Sequence, residues 1–198
     1  MPIPPERITE LHYISHVKHI QSILKRGILS HAKAARYVVV SIADPEVQEL
    51  RALRAVPQGL PLHQYANLYF DARNPMMYVR REGHLDICVL RVSPEVLSIP
   101  GVVISDGNAA AGNTAFHPSP AGLQYLEEES VFAEWWNDPD YFTKRENRRK
   151  RCAEVLVPQL VHPKYVSGAY VSSAEAEVTV RRLTPNLPIT VRPYLFFR

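Results

Sequence analysis

The stretch "KRCAEVLVPQLV", Lys150 to Val161, places one acid, Glu154, at the mouth of an apolar run that reads as a buried strand. It comes directly after Arg145, Arg148, Arg149, Lys150 and Arg151. Alternation along a strand puts Glu154, Leu156 and Pro158 on one side and Ala153, Val155 and Val157 on the other, so the carboxylate enters a largely apolar surface. A charge in that position has to be paired. It is either a structural acid bound to an Arg of the preceding run, or a functional acid held at a cleft to stabilise positive charge or move a proton.

Four further constellations carry polar chemistry. In "HYISHVKH" two histidines four apart, His12 and His16, share a helical face, but no third metal ligand accompanies them. The junction from Leu11 to Ser15, including His12, Tyr13 and Ser15, suits ribose hydroxyls or a phosphate; alternatively Ser15 is a plain helix cap. Arg51 and Arg54 lie three apart in "QELRALRAVP", side by side on a helix, and their forks fit a diphosphate or form a solvated face. In "YFDARNPMMYV", Arg73 and Asn74 precede Pro75 amid Tyr69, Phe70 and Tyr78, a grouping that either sandwiches a flat ring or belongs to a core strand. Trp135, Trp136, Tyr141 and Phe142 are stacking platforms for bases or a patch that closes a long loop.

These residues need elements to position them. "SHVKHIQSILKRG" predicts a helix from Ser15 to Gly27 with Val17, Ile20, Ile23 and Leu24 on one face. "YVVVSIA", Tyr37 to Ala43, reads as a strand, and Asp44 with Pro45 opens a helix that runs towards Pro57. "LDICVLRVSPEVL" reads as a strand entering a turn at Pro94, and "VVISDGNAAAGNTAF" as a strand, a turn at Asp106-Gly107-Asn108 and a small-residue loop. From Ala153 on, "EVLVPQLV", "VSGAYVS", "EAEVTVRRL" and "ITVRPYLFF" all read as strands. The 17 prolines argue against a helical bundle, and the expected fold is α+β, with mixed or antiparallel strands around a cleft.

Composition narrows the classes. With 198 residues the chain is expected to form a single domain over residues 1–198. No apolar run is long enough to span a bilayer, the start lacks a secretory pattern, and Cys88 and Cys152 have no metal-like spacing. A cytoplasmic protein without a membrane partner or structural zinc is expected. The net charge of +3 permits a nucleic-acid partner. The glycine-rich, nucleophile-elbow and Cys-His signatures of dehydrogenases, P-loop NTPases and hydrolases are missing from the sequence.

Taken in order, "HYISHVKHIQSILKRGILSHAKA", "SIADPEVQELRALRAVP", "LHQYANLYFDARNPMMYV", "VVISDGNAA" and "RRKRCAEVLVP" resemble the DarT family of DNA ADP-ribosyltransferase toxins over about residues 10 to 170. "YFDARNPMMY" and "AEVLVP" are the most specific parts. The resemblance implies an ADP-ribosyltransferase fold that splits NAD+, taken as substrate without a metal, and attaches ADP-ribose to a thymine or guanine in single-stranded DNA. It implies a DarG-like macrodomain or another ADP-ribosyl hydrolase as antitoxin. Glu154 matches the catalytic glutamate and Arg51 the active-site arginine, with Arg54 as neighbour. Tyr13-Ile14-Ser15-His16 matches a His-x-Thr-His stretch that contacts NAD+, with Tyr13 in place of His beside His12, and Ser15 in place of Thr.

On this resemblance Glu154 stabilises an oxocarbenium-like ribose and helps deprotonate the attacking base. Arg51 holds the diphosphate or the incoming base, Tyr13 and Ser15 the nicotinamide ribose, and Tyr78 or Phe70 stacks on nicotinamide, while the run from Arg145 to Arg151 grips phosphates. Rival expectations are an ADP-ribosyltransferase acting on RNA or protein, and a catalytically silent nucleic-acid-binding module. Cys152 stands two residues before Glu154, where arginine-modifying transferases carry an extra acid.

Overall fold

The computed structural model describes residues 1–37 and 40–198. In chain order the strands and helices are β1 (Leu11–His16), α1 (Ile20–Arg26), β2 (Ile28–Leu29), α2 (His31–Ala34), α3 (Pro45–Ala52), β3 (Tyr65–Tyr69), α4 (Pro75–Arg80), β4 (Ile87–Val92), β5 (Val103–Ser105), β6 (Phe116–Pro118), α5 (Glu128–Val131), α6 (Tyr141–Lys150), β7 (Glu154–Pro158), β8 (Leu160–Val161), β9 (Val166–Val171), α7 (Ala174–Leu183) and β10 (Ile189–Val191). Eight strands form one sheet in the order β10-β9-β4-β1-β3-β7-β5-β6, and β2 pairs with β8 separately. Only β10 and β9 run parallel; every other pair in the sheet is antiparallel.

Alternation sorts the strand side chains into two faces. Leu11, Leu68, Leu90, Val155 and Val171 join the main core with Ile20 and Ile23 of α1 and Ala176 and Val180 of α7. The opposite face carries two smaller clusters, one around Ile14, Val89 and Met77, the other around Val56, Leu62 and Leu156. Each fully buried Leu, Ile or Val contributes about 1.5–3 kcal/mol, so the main core carries most of the burial energy.

The sheet has one weak seam. β1 and β3 are joined at a single pair, His12 opposite Tyr69, whereas β1 pairs with β4 at six positions and β3 with β7 at five. Beyond that pair the two strands part, and the cleft opens between them, with Tyr13, Ile14 and Ser15 on one wall and Tyr65, Asn67 and Tyr69 on the other.

Several local expectations change. The first helix starts later than predicted, because Ser15 belongs to β1. His16 is the cap, its Nδ1 accepting from the Lys18 N–H at 3.2 Å, and α1 begins at Ile20 after a tight turn over Val17–His19. Gly27 does end it, at φ +91°, and a Cβ there would lie 2.3 Å from the Val161 carbonyl oxygen. Val38 and Val39, in the middle of the strand expected over Tyr37–Ala43, lie outside the described residues; residues 40–43 form no strand. "EAEVTVRRL" is helical, not a strand. Its β-branched residues suggest a strand, but Ala176 and Val180 are buried four apart, Ser173 caps the start, and Glu177 pairs with Arg181.

Asp44 and Pro45 open α3 as expected, with Asp44 Oδ1 accepting from the Glu46 N–H at 3.0 Å. The helix stops at Ala52, however, so Arg54 lies beyond it and does not stand beside Arg51 on a helical face. Asn74 caps α4 in the same manner, its Oδ1 accepting from the Met77 N–H at 3.1 Å.

Candidate active site

Glu154 opens β7 opposite Tyr69 on one neighbouring strand and Ser105 on the other, beside the seam. It is 1% exposed. Arg51 Nη1 lies 3.0 Å from both carboxylate oxygens, and the Ala109 N–H donates to Oε1 at 2.9 Å. The partner is therefore not a member of the preceding basic run, as the ion-pair reading supposed. It is an arginine 103 residues away, carried in by α3. Together the pair brings the two strongest candidate residues into one contact.

The basic run is spent elsewhere. Arg149 is buried and binds Asp106 at 2.7 Å, Glu146 at 2.7 Å and Thr114 Oγ1 at 3.2 Å. Lys150 pairs with Glu127 at 2.7 Å. Arg151 is buried against Asp71 and donates to the carbonyls of Val131, Ala133 and Arg73. The charges of these three are thus already paired within the chain, although Arg149 borders the second groove. Arg145 and Arg148 remain exposed.

Arg149 also governs the turn over the carboxylate. Its carbonyl accepts from the Asn108 N–H at 2.9 Å, the residue before Ala109, and its side chain packs on Gly107, where a Cβ would lie 2.4 Å from Nη1. Ser105 Oγ donates to the Gly107 carbonyl at 2.7 Å and accepts from the Glu154 N–H at 3.2 Å. The Ala109 amide is in this way aimed by a fixed turn.

The cleft has a cavity of about 310 Å³. Of the residues picked from sequence, Tyr13, Ser15, Arg51, Arg148 and Glu154 line it. Burial, with Cys88 beside it, pushes the Tyr13 phenol up to about 12. Burial, then the charge of Glu154, raises Tyr69 well above its ordinary value. Burial, and again Glu154, lifts the Cys152 thiol to about 12. All three stay protonated near neutral pH and add no charge beside the Arg51–Glu154 pair. Among the described residues no three His, Cys, Asp or Glu side chains group to hold a metal ion.

The other candidates lie outside the cavity lining. His12 is buried between Glu10, 3.0 Å from its Nε2, and the Ala72 N–H, which donates to Nδ1 at 3.0 Å. His16 serves as the cap described above. Arg54 reaches back to the Ala111 carbonyl. Phe70 is a core residue, because strand alternation turns it to the face opposite Tyr69. Arg73 is buried among Phe197, Tyr194 and Trp135, with its guanidinium 3.9 Å, 4.1 Å and 5.3 Å from their ring centres. Tyr78 turns to the outer side of α4, edge-on to Trp136 and Phe197. Trp136 is buried there, while Trp135, Tyr141 and Phe142 are exposed.

Several lining residues have no assigned site role in the sequence, although Tyr69 belongs to the aromatic grouping before Pro75 and Asn108 to the expected turn. Tyr69, Asn67, Asn108 and Arg80 all line the cavity. Arg80 donates to the carbonyls of Ile42 at 2.8 Å and Ala43 at 3.2 Å, which latches residues 42–43 along the cleft. For Tyr69 the signal was present: it alternates with Phe70, and only one of the two can face Glu154. The second groove, about 600 Å³, shares Pro75, Asn108, Arg148 and Cys152 with the first and adds Phe142 and Arg145.

Comparison with known proteins places this architecture. Thermosipho africanus DarTG in complex with ADP-ribose superposes with a TM-score of 0.82 at 30% identity, over 95% of this chain and 51% of that one. Thermus sp. 2.9 DarT in complex with ADP-ribosylated ssDNA superposes with a TM-score of 0.84 at 24% identity, over 99% of this chain and 100% of that one. By sequence, a DNA ADP-ribosyl transferase-DNA ADP-ribosyl glycohydrolase fusion protein of Thermosipho africanus (strain H17ap60334) is 33% identical over 96% of this chain. The chain spans about half the length of that relative, 50%. A DNA ADP-ribosyl transferase of Thermus sp. (strain 2.9) is 27% identical over 96% of this chain and 94% of its own length.

The fold is that of an ADP-ribosyltransferase domain, α+β as the sequence implied. A family model described as "ssDNA thymidine ADP-ribosyltransferase, DarT" matches residues 12–197, nearly the whole chain. The chain belongs to the DarT family.

Proposed function

We propose that this chain is an NAD+-dependent ADP-ribosyltransferase that modifies thymidine in single-stranded DNA, working over residues 1–198 as the toxin of a toxin–antitoxin pair. The observation that carries the reading is the buried Glu154, held by Arg51 and the Ala109 amide at the seam of a split sheet. The family description and the names of both sequence relatives support DNA as acceptor. The joined glycohydrolase of the Thermosipho africanus relative supports a DarG-like partner that removes the mark.

The chemistry follows from charge. When the bond between nicotinamide nitrogen and ribose C1′ breaks, its electron pair leaves with nicotinamide and the ribose becomes oxocarbenium-like; a carboxylate fixed beneath it stabilises that charge. The ring nitrogen of thymine that carries a proton, N3, then bonds to C1′, and its proton passes to Glu154. Oε2 is the oxygen suited to take it, because Arg51 is its partner while Oε1 is also engaged by the Ala109 amide. Tyr13 and Ser15 hold the ribose side of NAD+, and Arg148, common to both grooves, stands between NAD+ and an incoming strand supported by Arg145 and Phe142.

The test is intact mass of single-stranded DNA and RNA oligonucleotides after incubation with NAD+. One ADP-ribose on thymine-containing DNA, lost with Glu154→Gln, is expected. Labelling of RNA or of the protein alone would move the acceptor; labelling that survives Glu154→Gln would sink the mechanism.

A further inference from the structure

We propose that the cationic face built from α1, α2 and their flanks is a second anchoring surface for single-stranded nucleic acid, gripping phosphates outside the nucleotide that is modified. The proposal rests on the reading of single-stranded DNA as acceptor and extends it to where the rest of the strand lies.

Arg149, Lys150 and Arg151, the obvious phosphate ligands by sequence, are consumed in internal contacts, so among the described residues the run keeps Lys144, Arg145 and Arg148 outside any ion pair, and of these Arg145 and Arg148 line the grooves. Three cations on one short helix grip a flexible polyanion weakly.

A different part of the chain carries the excess. From Leu11 to Ala43 there is no Asp or Glu at all, yet Lys18, Lys25, Arg26, Lys33 and Arg36 all fall there. Those five cations exceed the chain's net charge of +3, so the remainder of the chain is slightly acidic. All five are exposed, and none takes part in an ion pair among the described residues. An ordinary solvated segment mixes both signs; this one does not.

Neighbouring elements enlarge the face. Gly27, at the end of α1, packs on Val161 and Pro163, which brings exposed Lys164 alongside. Gln21 donates to the Leu183 carbonyl at 3.0 Å, which brings the end of α7 and exposed Arg182 to the same side. Aromatic rings are interleaved: Arg26 lies 4.6 Å over Tyr37, which is 41% exposed, and Lys164 4.8 Å over Tyr165. Tyr37 is the exposed ring of the two, Tyr165 being half-buried against the core, and cations beside an exposed ring suit a groove for unpaired bases.

The face also reaches the cleft, since His19, His31 and Ala34 from the same segment line the cavity above Glu154. A strand whose target base reaches Glu154 past Arg148 therefore borders the segment that carries these cations. Electrostatic contacts of this kind read no sequence; they hold the strand and raise the local concentration of targets.

The experiment measures binding without NAD+, so that no transfer occurs, to an oligonucleotide of about 30 nucleotides across a salt series. The unchanged chain is compared with the variant Lys25→Gln/Arg26→Gln/Lys33→Gln/Arg36→Gln. At about 0.7 per phosphate contact for single strands, the slope of log affinity against log salt should become shallower by roughly 3, with affinity at low salt down at least about tenfold. Should the quadruple variant fold poorly, Lys33→Gln/Arg36→Gln should lose about 1.4 of slope on the same scale. Transfer of ADP-ribose to a short thymine-containing oligonucleotide, too short to reach the face, should survive in the variants. An unchanged slope overturns the proposal. If the unchanged chain labels no DNA, the acceptor reading fails separately, while the slope comparison still decides whether the face binds nucleic acid.

Discussion

The Arg51–Glu154 pair makes a prediction that separates stability from catalysis. Both side chains are almost completely buried, 7% and 1% exposed, so removing Arg51 leaves a carboxylate with the Ala109 amide as its one remaining donor among the contacts described above. Breaking a buried pair by deleting one partner costs about 3–5 kcal/mol, a large share of the roughly 5–15 kcal/mol that holds a domain together. For a chain of this size 1 kcal/mol shifts the midpoint by about 2–4 °C, so Arg51→Met should melt roughly 6–20 °C lower. Glu154→Gln also leaves Arg51 buried without a counter-charge, but it should cost less than Arg51→Met, since the amide oxygen can still accept from the Arg51 guanidinium and the Ala109 N–H. The decisive variant is Arg51→Met/Glu154→Gln. With the stranded charge gone, it should recover most of the stability lost by Arg51→Met while remaining inactive. Urea titration of all four proteins gives the coupling energy, expected at about 2 kcal/mol or more. Strict additivity, with the double variant no more stable than Arg51→Met, would refute the claim that the pair is a buried, mutually dependent charge pair.

Arg149 should act as a positioning residue for the reaction. Asp106→Asn and Arg149→Met both loosen the turn that aims the Ala109 amide, and the loss of one hydrogen bond to a charged group, about 1.5–3 kcal/mol, corresponds to a drop in kcat of roughly 10- to 100-fold. KM for NAD+ should move far less, and Arg149→Lys should recover part of kcat; equal loss in kcat and affinity would indicate general unfolding instead. Glu10 should set part of the acid limb of stability. Burial works to raise its carboxyl, but bonds from His12, Arg91 and Tyr170 prevail and bring it from 4.5 down to about 2. A carboxyl lowered in the folded state stabilises the fold above its unfolded value and loses that contribution as pH falls, here from about pH 5 towards 2. Glu10→Gln should flatten the stability–pH curve in that window, and an unchanged acid limb would contradict the assignment.

The parts of the fold that show in the sequence are those governed by local rules. Strand alternation places Glu154 apart from Val155 and Val157, and the structure keeps them apart. Asp44-Pro45 and Asn74-Pro75 start helices because a capping oxygen and a fixed φ act within three residues. What does not show depends on distance or on groups without a side-chain signature. The partner of Glu154 is 103 residues away, and its second donor is the amide of an alanine. β-branched residues made α7 look extended because strand propensity is weak against a capped helix whose Ala176 and Val180 meet the core.

The basic run is the instructive intermediate case. As a string of charges it looks like one phosphate-binding patch, but on a helix a spacing of three or four sorts it into faces. Arg145 and Arg148, three apart, share the solvent side; Glu146 and Arg149, also three apart, turn inwards and bind each other and Asp106. The acid within the run was the clue that half of it would face its own protein. In the segment from Leu11 to Ala43, where no such acid occurs, the same reasoning points outwards.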